Sequence, residues 1–386
     1  MVETITAGIG FVCLAAAVAG CVFALCGALA VRRLALAGRQ HSGIWPGVSI
    51  LKPLSGATPG LYDDLASFCD QDYRGPLQVL FGVKDPTDAA VGIVKRLIAE
   101  RPGRDLKLVV HGHTRGPNPK IGNLAALEPH IKNEVVVIAD ADISAPRNYL
   151  GETISSLAPP GVGAVTLLYR GVIRGGIWAR LASMGIDYDF LPNVLIGLRL
   201  GLARPCFGST IALRRETLAA IGGLRAFANY AADDYAIGAA VRAAGLEVAI
   251  PFLILGHTCS ERSTAELLTH ELRWARTIRV VSPLGYAGTV MTRPVPMALI
   301  GSALTGFGGL GMAVIAAGVV CRLILQLWTD RILQVGAKRW LLGPARDLLA
   351  FGVYVASYFV DVVKWRGRRY QVRGDGTLIA LGDQKA

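Results

Sequence analysis

Charge is scarce in this chain. Only 18% of its 386 residues are Asp, Glu, Lys or Arg, against about 25% in an ordinary soluble domain, while 52% are apolar. That balance excludes a disordered chain and argues against an exterior wetted on every side. Organised cysteine is missing as well. The seven Cys are odd in number and contain no C-x-x-C, which excludes a disulfide framework and a zinc ribbon. Internal repeats and low-complexity linkers are also absent. Acidic residues are the minority, 28 against 40 Lys and Arg, for a net charge of +12. A basic excess suits an anionic partner. The apolar composition sets anionic lipid or a phosphorylated small molecule above nucleic acid, and no nucleic-acid partner is expected.

The longest gap in charge runs from Thr4 to Val31, enough for the roughly 20 apolar residues that cross a bilayer core as a helix. Acidic Glu3 precedes it and Arg32, Arg33 and Arg39 follow. A cleavable signal has the opposite polarity, so a helix over about 7–31 is predicted as an anchor whose C-terminal side is cytosolic. A second uncharged run, 294–321, predicts another span. Its GFGGLG (Gly306 to Gly311) fits a dinucleotide fingerprint in letters only, because no strand precedes it, and close helix packing explains it better. A third span, 340–363, is interrupted by Arg346, Asp347 and Asp361. Three crossings would place Arg322, Arg331, Lys338 and Arg339 outside, against the positive-inside rule, and return the basic tail to the cytosol. The domains expected are an anchor and linker over 1–44, a cytosolic domain over 45–290 and a C-terminal membrane region over 291–386.

Between the anchors the pattern changes to alternating strands and helices. VSIL (48–51), LQVLFGV (77–83), LKLVV (106–110), EVVVIA (134–139) and GAVTLL (163–168) are short β-branched runs with helical stretches between most of them. The fold class is therefore α/β with a mainly parallel sheet, and such sheets bind ligands beyond the carboxyl ends of their strands. The apolar stretch 175–205, dotted with Arg and Asp, suits either a membrane-surface helix or core helices.

The strand ends carry the chemistry. Lys52 ends the first strand, Lys84 and Asp85 the second, and Asp140-Ala141-Asp142 follows EVVVIA. Two carboxylates at i and i+2 can hold Mg²⁺ or Mn²⁺, hard ions that prefer such oxygens and share substrate phosphates; Asp is also simply common in turns. Asn118, Lys120 and Asn123 open a probable helix, a place suited to phosphate. Asp233 and Asp234 begin another, where N-capping is the plain alternative. HELRWARTIR (270–279) sets Arg273, Trp274, Arg276 and Arg279 on one helical stretch, either as a basic face or as a diphosphate clamp. His257 and Cys259 in GHTC suit a structural role.

In this order Asp85, Asp140-Ala141-Asp142, Asp234 and His270-x-x-Arg273-Trp274 resemble the D, D-x-D, D, Q/R-x-x-R-W series of membrane-bound family-2-like glycosyltransferases. The wording VKDPTD, PNPKIGNL, ADADI, ANYAADDY and HELRWART is similar to the ceramide glucosyltransferase group, family 21, and to its bacterial relatives assigned to hopanoid biosynthesis. One position departs: His270 stands where Gln or Arg is usual, which speaks against a processive polysaccharide synthase.

The resemblance implies a GT-A domain that uses a UDP-sugar and a divalent metal and inverts the anomeric carbon on transfer to a lipid hydroxyl. It implies Asp140 and Asp142 as metal ligands, and Lys52, Asp85, Lys120, Asn123 and Asp140 around the donor. Asp234 would be the base, with Arg273, Trp274 and His270 on the leaving-group and acceptor side. Ceramide with UDP-glucose and a hopanoid polyol with UDP-N-acetylglucosamine both stay open as acceptor and donor. A non-catalytic nucleotide-sugar-binding scaffold is the more distant alternative. The implied location is a cell membrane, the bacterial inner membrane for the hopanoid relatives, with several crossings and a cytosolic catalytic domain.

Overall fold

The computed structural model describes residues 2–36, 43–112, 116–335, 339–365 and 368–381; Arg39, Lys338 and Arg366 lie outside them. Strands are β1 Val48–Pro53, β2 Leu77–Val83, β3 Asp105–Val110, β4 Val135–Ala139, β5 Ile143–Ser144, β6 Val162–Thr166 and β7 Leu168–Ile173. They continue with β8 Thr210–Arg214, β9 Glu247–Ala249, β10 Ile254–Cys259, β11 Val362–Trp365, β12 Arg368–Val372 and β13 Leu378–Leu381. Helices are α1 Val2–Arg32, α2 Leu61–Cys69, α3 Ala90–Ala99, α4 Pro119–Leu127, α5 Tyr149–Leu157, α6 Ile177–Gly185 and α7 Leu191–Arg199. The rest are α8 Arg215–Ala220, α9 Asp233–Ala243, α10 Thr264–Val281, α11 Pro283–Gly288, α12 Pro294–Leu304, α13 Gly309–Leu333 and α14 Gly343–Ala356.

These elements form two compact units. One comprises Met1–Ala37, Gly176–Arg204 and Glu261–Gly367; the other comprises Gly38–Gly175, Pro205–Ser260 and Arg368–Ala386. Their edges do not follow cuts at 44 and 290, because α6, α7 and α10 bury their apolar faces among the helices of the first unit.

The sheet unit is built on seven strands in the order β3-β2-β1-β4-β8-β6-β9. β1 pairs in parallel with β2 and β4, and β2 with β3. β8 runs antiparallel between β4 and β6. All six residues of β1 and all five of β4 are buried, as strands covered on both faces must be. The chain leaves β1 toward β2 and β3 and then returns to β4 on β1's other side, so the order reverses at β1 and β4. Open α/β sheets bind their ligands at such a reversal, beyond the carboxyl ends of the strands. A smaller sheet, β5-β10-β7, lies beside it, with β10 antiparallel to β5 and parallel to β7.

In the helical unit, α1 spans 31 residues, about 46 Å at 1.5 Å per residue. Its glycines give its direction relative to α12: Gly10 lies against Leu304 and Thr305, Gly20 against Met291 and Pro294. α12 therefore runs antiparallel to α1. The chain then turns through Gly306 and Phe307, both at positive φ (77° and 52°), and α13 runs back, with Gly311 on Ser302 and Leu325 near Gly27. The 294–321 run is thus a hairpin of two helices rather than one span, because the GFGG turn interrupts the helix. α14 corrects the third span. Its 14 residues reach only about 21 Å, short of a bilayer core of about 30 Å.

Two of the charges that interrupted the third run, Arg346 and Asp347, are buried and ion-paired, whereas Asp361 is exposed. Arg322 contacts Asp347 at 2.5 Å and Asp189 at 2.8 Å, Arg346 pairs with Glu271, and Arg339 meets Asp187 and Asp330 at 2.8 Å each. Asp187 and Asp189 belong to a π-helical turn, Ile186–Phe190, between α6 and α7. Stretch 175–205 therefore supplies core helices, though Leu200 and Leu202 remain exposed.

Candidate active site

At the end of β4 the chain turns through Asp140, Ala141 and Asp142 into β5. Both carboxylates keep solvent access at 32% and 40%, which leaves oxygens for a ligand. The Asp142 carbonyl accepts Thr258 N–H at 2.8 Å, and its carboxylate lies 4.0 Å from His257 Nε2.

Lys120 is the hub. Asn118 caps α4, its Oδ1 accepting the Lys120 and Ile121 N–H groups at 2.9 and 3.1 Å, with Pro119 at the first helical position. This fixes the helix start so that Lys120 Nζ lies 2.9 Å from Asp140 Oδ1 and 3.2 Å from Asp233 Oδ2. Burial opposes its charge, but Asp140, Asp233 and Asp234 together hold it protonated, with its pKa raised. Asp233 turns inward, and its Oδ1 also accepts Asn118 Nδ2 at 3.2 Å.

Asp234 begins α9. Its Oδ2 accepts Gly208 N–H at 2.7 Å and its Oδ1 accepts Tyr235 N–H at 2.8 Å. Burial, then the charge of Asp233, pushes its pKa up to about 6, while Lys120 and the two N–H donors pull it down. Residue 208 has to be small here: a Cβ would lie 3.1 Å from both Asp234 Oδ2 and Lys120 Nζ.

The structure therefore brings Asp140, Lys120, Asp233 and Asp234 into one cluster, with Asp142 on the same turn as Asp140. Asp85, past β2, is exposed; its carboxylate accepts the Thr87 N–H and hydroxyl at 2.8 and 2.6 Å, which keep its pKa low. Two expected donor contacts are placed elsewhere. Asn123 is buried, donating to Leu54 O at 3.1 Å and Gly82 O at 2.9 Å, so it ties the ends of β1 and β2 together. Lys52 is fully buried beneath the D-A-D turn. Its pKa is lowered to about 7 by burial, against the pull of Asp64, Asp140 and Asp142.

His270, Arg273 and Trp274 lie on α10 in the helical unit. His270 Nδ1 is 2.7 Å from Glu261 Oε1, and its ring meets Trp274 edge-on at 4.6 Å. The Arg273 guanidinium lies over Trp365 at 5.5 Å, while Arg276 pairs with Asp361 at 2.9 Å.

Sequence reasoning missed Asp64, Thr258 and Gly208, and gave His257 no part beside Asp142. The signal for Gly208 is its place just before β8, a strand that was not recognised. It also missed the return of β12 and β13 to the sheet unit. There Leu378 N–H donates to Asn229 O at 2.7 Å and Ala231 N–H to Gly376 O at 2.9 Å, bracing the loop that leads into Asp233 and Asp234.

Among the described residues no three His, Cys, Asp or Glu side chains form a ready-made cage. Asp140 and Asp142 nonetheless offer accessible hard oxygens on one turn. That suits Mg²⁺ or Mn²⁺ completed by substrate phosphates, and the residues fit.

The sheet order and its strand-end carboxylates mark a GT-A glycosyltransferase domain. A mannosyltransferase, PcManGT from Pyrobaculum calidifontis, solved with GDP-Man and Mn²⁺, shares the fold. Its TM-score is 0.54 at 18% identity, covering 92% of this chain and 99% of that one. The chain belongs to glycosyl transferase family 21, whose family model matches residues 12–378. Ceramide glucosyltransferase 1 of Caenorhabditis elegans is 27% identical over 206 residues, 53% of this chain and 44% of the relative. Ceramide glucosyltransferase of Candida albicans is 35% identical over 125 residues, 30% and 23% of the two chains. Ceramide glucosyltransferase 3 of C. elegans is 28% identical over 240 residues, 60% and 50%. The chain thus spans half or less of the length of these relatives.

Proposed function

We propose that this chain is a membrane-bound inverting glycosyltransferase of ceramide glucosyltransferase type, moving a sugar from a UDP-sugar to a lipid hydroxyl. The observation that carries the reading is Lys120, which joins a strand-end D-x-D carboxylate to the acid pair of α9 in a family 21 chain. A carboxylate with pKa about 6 is mostly ionised at neutral pH, yet basic enough to take a proton as the bond forms. Asp234 would accept the lipid hydroxyl's proton while that oxygen bonds to the anomeric carbon. The bond to the UDP diphosphate breaks on the opposite face, which inverts the centre. Lys120 keeps Asp234 from rising further and so keeps the base available.

Asp142, with Asp140, would hold Mg²⁺ or Mn²⁺, which when bound shares the negative charge of the departing diphosphate. Asp85 would contact the nucleotide. Arg273 and Trp274 would steady the diphosphate and wall the acceptor, with His270 orienting Trp274. The GDP-Man and Mn²⁺ held by PcManGT are ligands of the kind this reading calls for.

In the membrane, α1 would cross with Arg32 on the cytosolic side. α12 begins against Gly20 and runs back toward Gly10, and α13 retraces it past Gly27, so the C-terminal end of α13 would lie on the side of Arg32. Arg331 and Arg339 then become cytosolic, which removes the conflict with the positive-inside rule. Two helices, α1 and α13, are long and apolar enough to cross.

The test is incubation of purified full-length protein with UDP-glucose or UDP-N-acetylglucosamine and ceramide or a hopanoid polyol, with product mass as readout. Glycosylated lipid is expected. UDP binding with no transfer to any acceptor would leave the scaffold reading instead.

A further inference from the structure

Lys52 is the last polar group of a wholly buried strand, a costly place for an ammonium unless its hydrogens are used. They are used on the D-A-D turn. Nζ donates to the Asp140 carbonyl at 2.8 Å and to the Ile143 carbonyl at 3.2 Å. It lies 3.5 Å from the centre of the Phe68 ring, on α2. The same helix carries Asp64, buried at 1% exposure, which accepts Thr258 Oγ1–H at 2.9 Å. Thr258 in turn donates its backbone N–H to the Asp142 carbonyl at 2.8 Å. The carbonyls of Asp140, Asp142 and Ile143 are therefore all held from β1 and β10, whereas the two carboxylates keep solvent access, Asp140 beside Lys120 and Asp142 near His257. An apolar side chain would fill the end of β1 at less cost, but it would leave two of those carbonyls without these donors.

We infer that Lys52 is a positioning residue: with Asp64 as its counter-charge and Thr258 as the link, it sets the shape of the D-A-D turn and so the spacing of Asp140 and Asp142. It acts through backbone carbonyls and touches neither donor nor acceptor. The inference rests on the proposed divalent-metal role of those two carboxylates. Groups behind metal ligands commonly govern affinity by about 10- to 100-fold.

The experiment uses full-length protein in detergent, as wild type, Lys52→Met, Asp64→Asn and Thr258→Val. Mn²⁺-dependent UDP binding is measured by calorimetry, protein-bound Mn²⁺ by its electron paramagnetic resonance, and the KM for lipid acceptor in the transfer assay. In folded Lys52→Met, Mn²⁺-dependent UDP binding should weaken about tenfold or more, with acceptor KM unchanged. Thr258→Val should weaken it less, because the backbone donor to Asp142 remains. Wild-type Mn²⁺–UDP affinity in folded Lys52→Met overturns the inference. Should Lys52→Met not fold, unchanged affinity in both Asp64→Asn and Thr258→Val overturns it instead. A wild-type protein with no Mn²⁺-dependent UDP binding sinks the metal reading itself, which separates the two failures.

Discussion

Asp234 and its neighbours make opposed demands on one proton. The wild-type transfer rate should fall as pH drops through about 6, where Asp234 takes up a proton. Asp233 raises that value by like charge, so Asp233→Asn should move the acid limb to lower pH; Lys120 lowers it, so Lys120→Met should move the limb up. A pH series of kcat at saturating donor checks both signs, and a limb that stays put in both variants would remove the electrostatic account. Asp234→Asn should retain UDP affinity while kcat falls by about 10²–10⁴, measured as initial rate beside UDP titration. Asp233→Asn should cost less, since that carboxylate faces Lys120 and Asn118. These acids were legible because Asp is conspicuous after an apolar strand or at a helix start. Lys52 was not: sequence shows a lysine at a strand end but not whether its ammonium faces ligand or backbone. Asn123 deceived for the same reason, its amide being consumed by Leu54 and Gly82 carbonyls.

At the scale of elements, the parallel strands were readable from β-branched runs separated by helices. β8 escaped because its run, TIALR, is only five residues long and follows the equally apolar helices α6 and α7, so no contrast in composition announces it. The α12–α13 hairpin was concealed by composition, since glycines suit either close packing or a turn. Here Gly311 serves the first and Gly306 the second. Arg346 and Asp347 in α14 suggested a weak span, but with Arg322 of α13 they are joints of the helical unit. Removing one partner of a buried ion pair typically costs about 3–5 kcal/mol. Arg322→Met, which leaves Asp347 and Asp189 without that cation, should destabilise by this order. Thermal unfolding in detergent would show it, and an unchanged midpoint would mean the network contributes little. Gly10→Leu should loosen α1 from α12, because even a Cβ would lie 2.7 Å from Thr305 Cγ2. Faster proteolysis near 305–308 is the expected sign.

The whole molecule is not laid out as one catalytic segment between two anchors. Each compact unit is assembled from three separated stretches of chain, and no sliding-window pattern in sequence could reveal that interleaving. Strands β12 and β13 show its effect, since their backbone donors and acceptors hold residues 229–231 just ahead of Asp233. Leu378→Pro removes the N–H bonded to Asn229 O. We expect it to lower kcat several-fold and to speed proteolytic nicking near 229–232; a variant with unchanged kcat and nicking would mean that the brace is dispensable. The arrangement also has a temporal side. A ribosome delivers the Asp234 helix more than a hundred residues before it delivers the strand that braces the loop leading into it. Folding of the seven-stranded sheet can begin early, yet the loop ahead of Asp233 acquires these two backbone bonds only after α12 and α13 have been made. On the proposed function, catalytic competence would be deferred until the helices of the first unit have been synthesised.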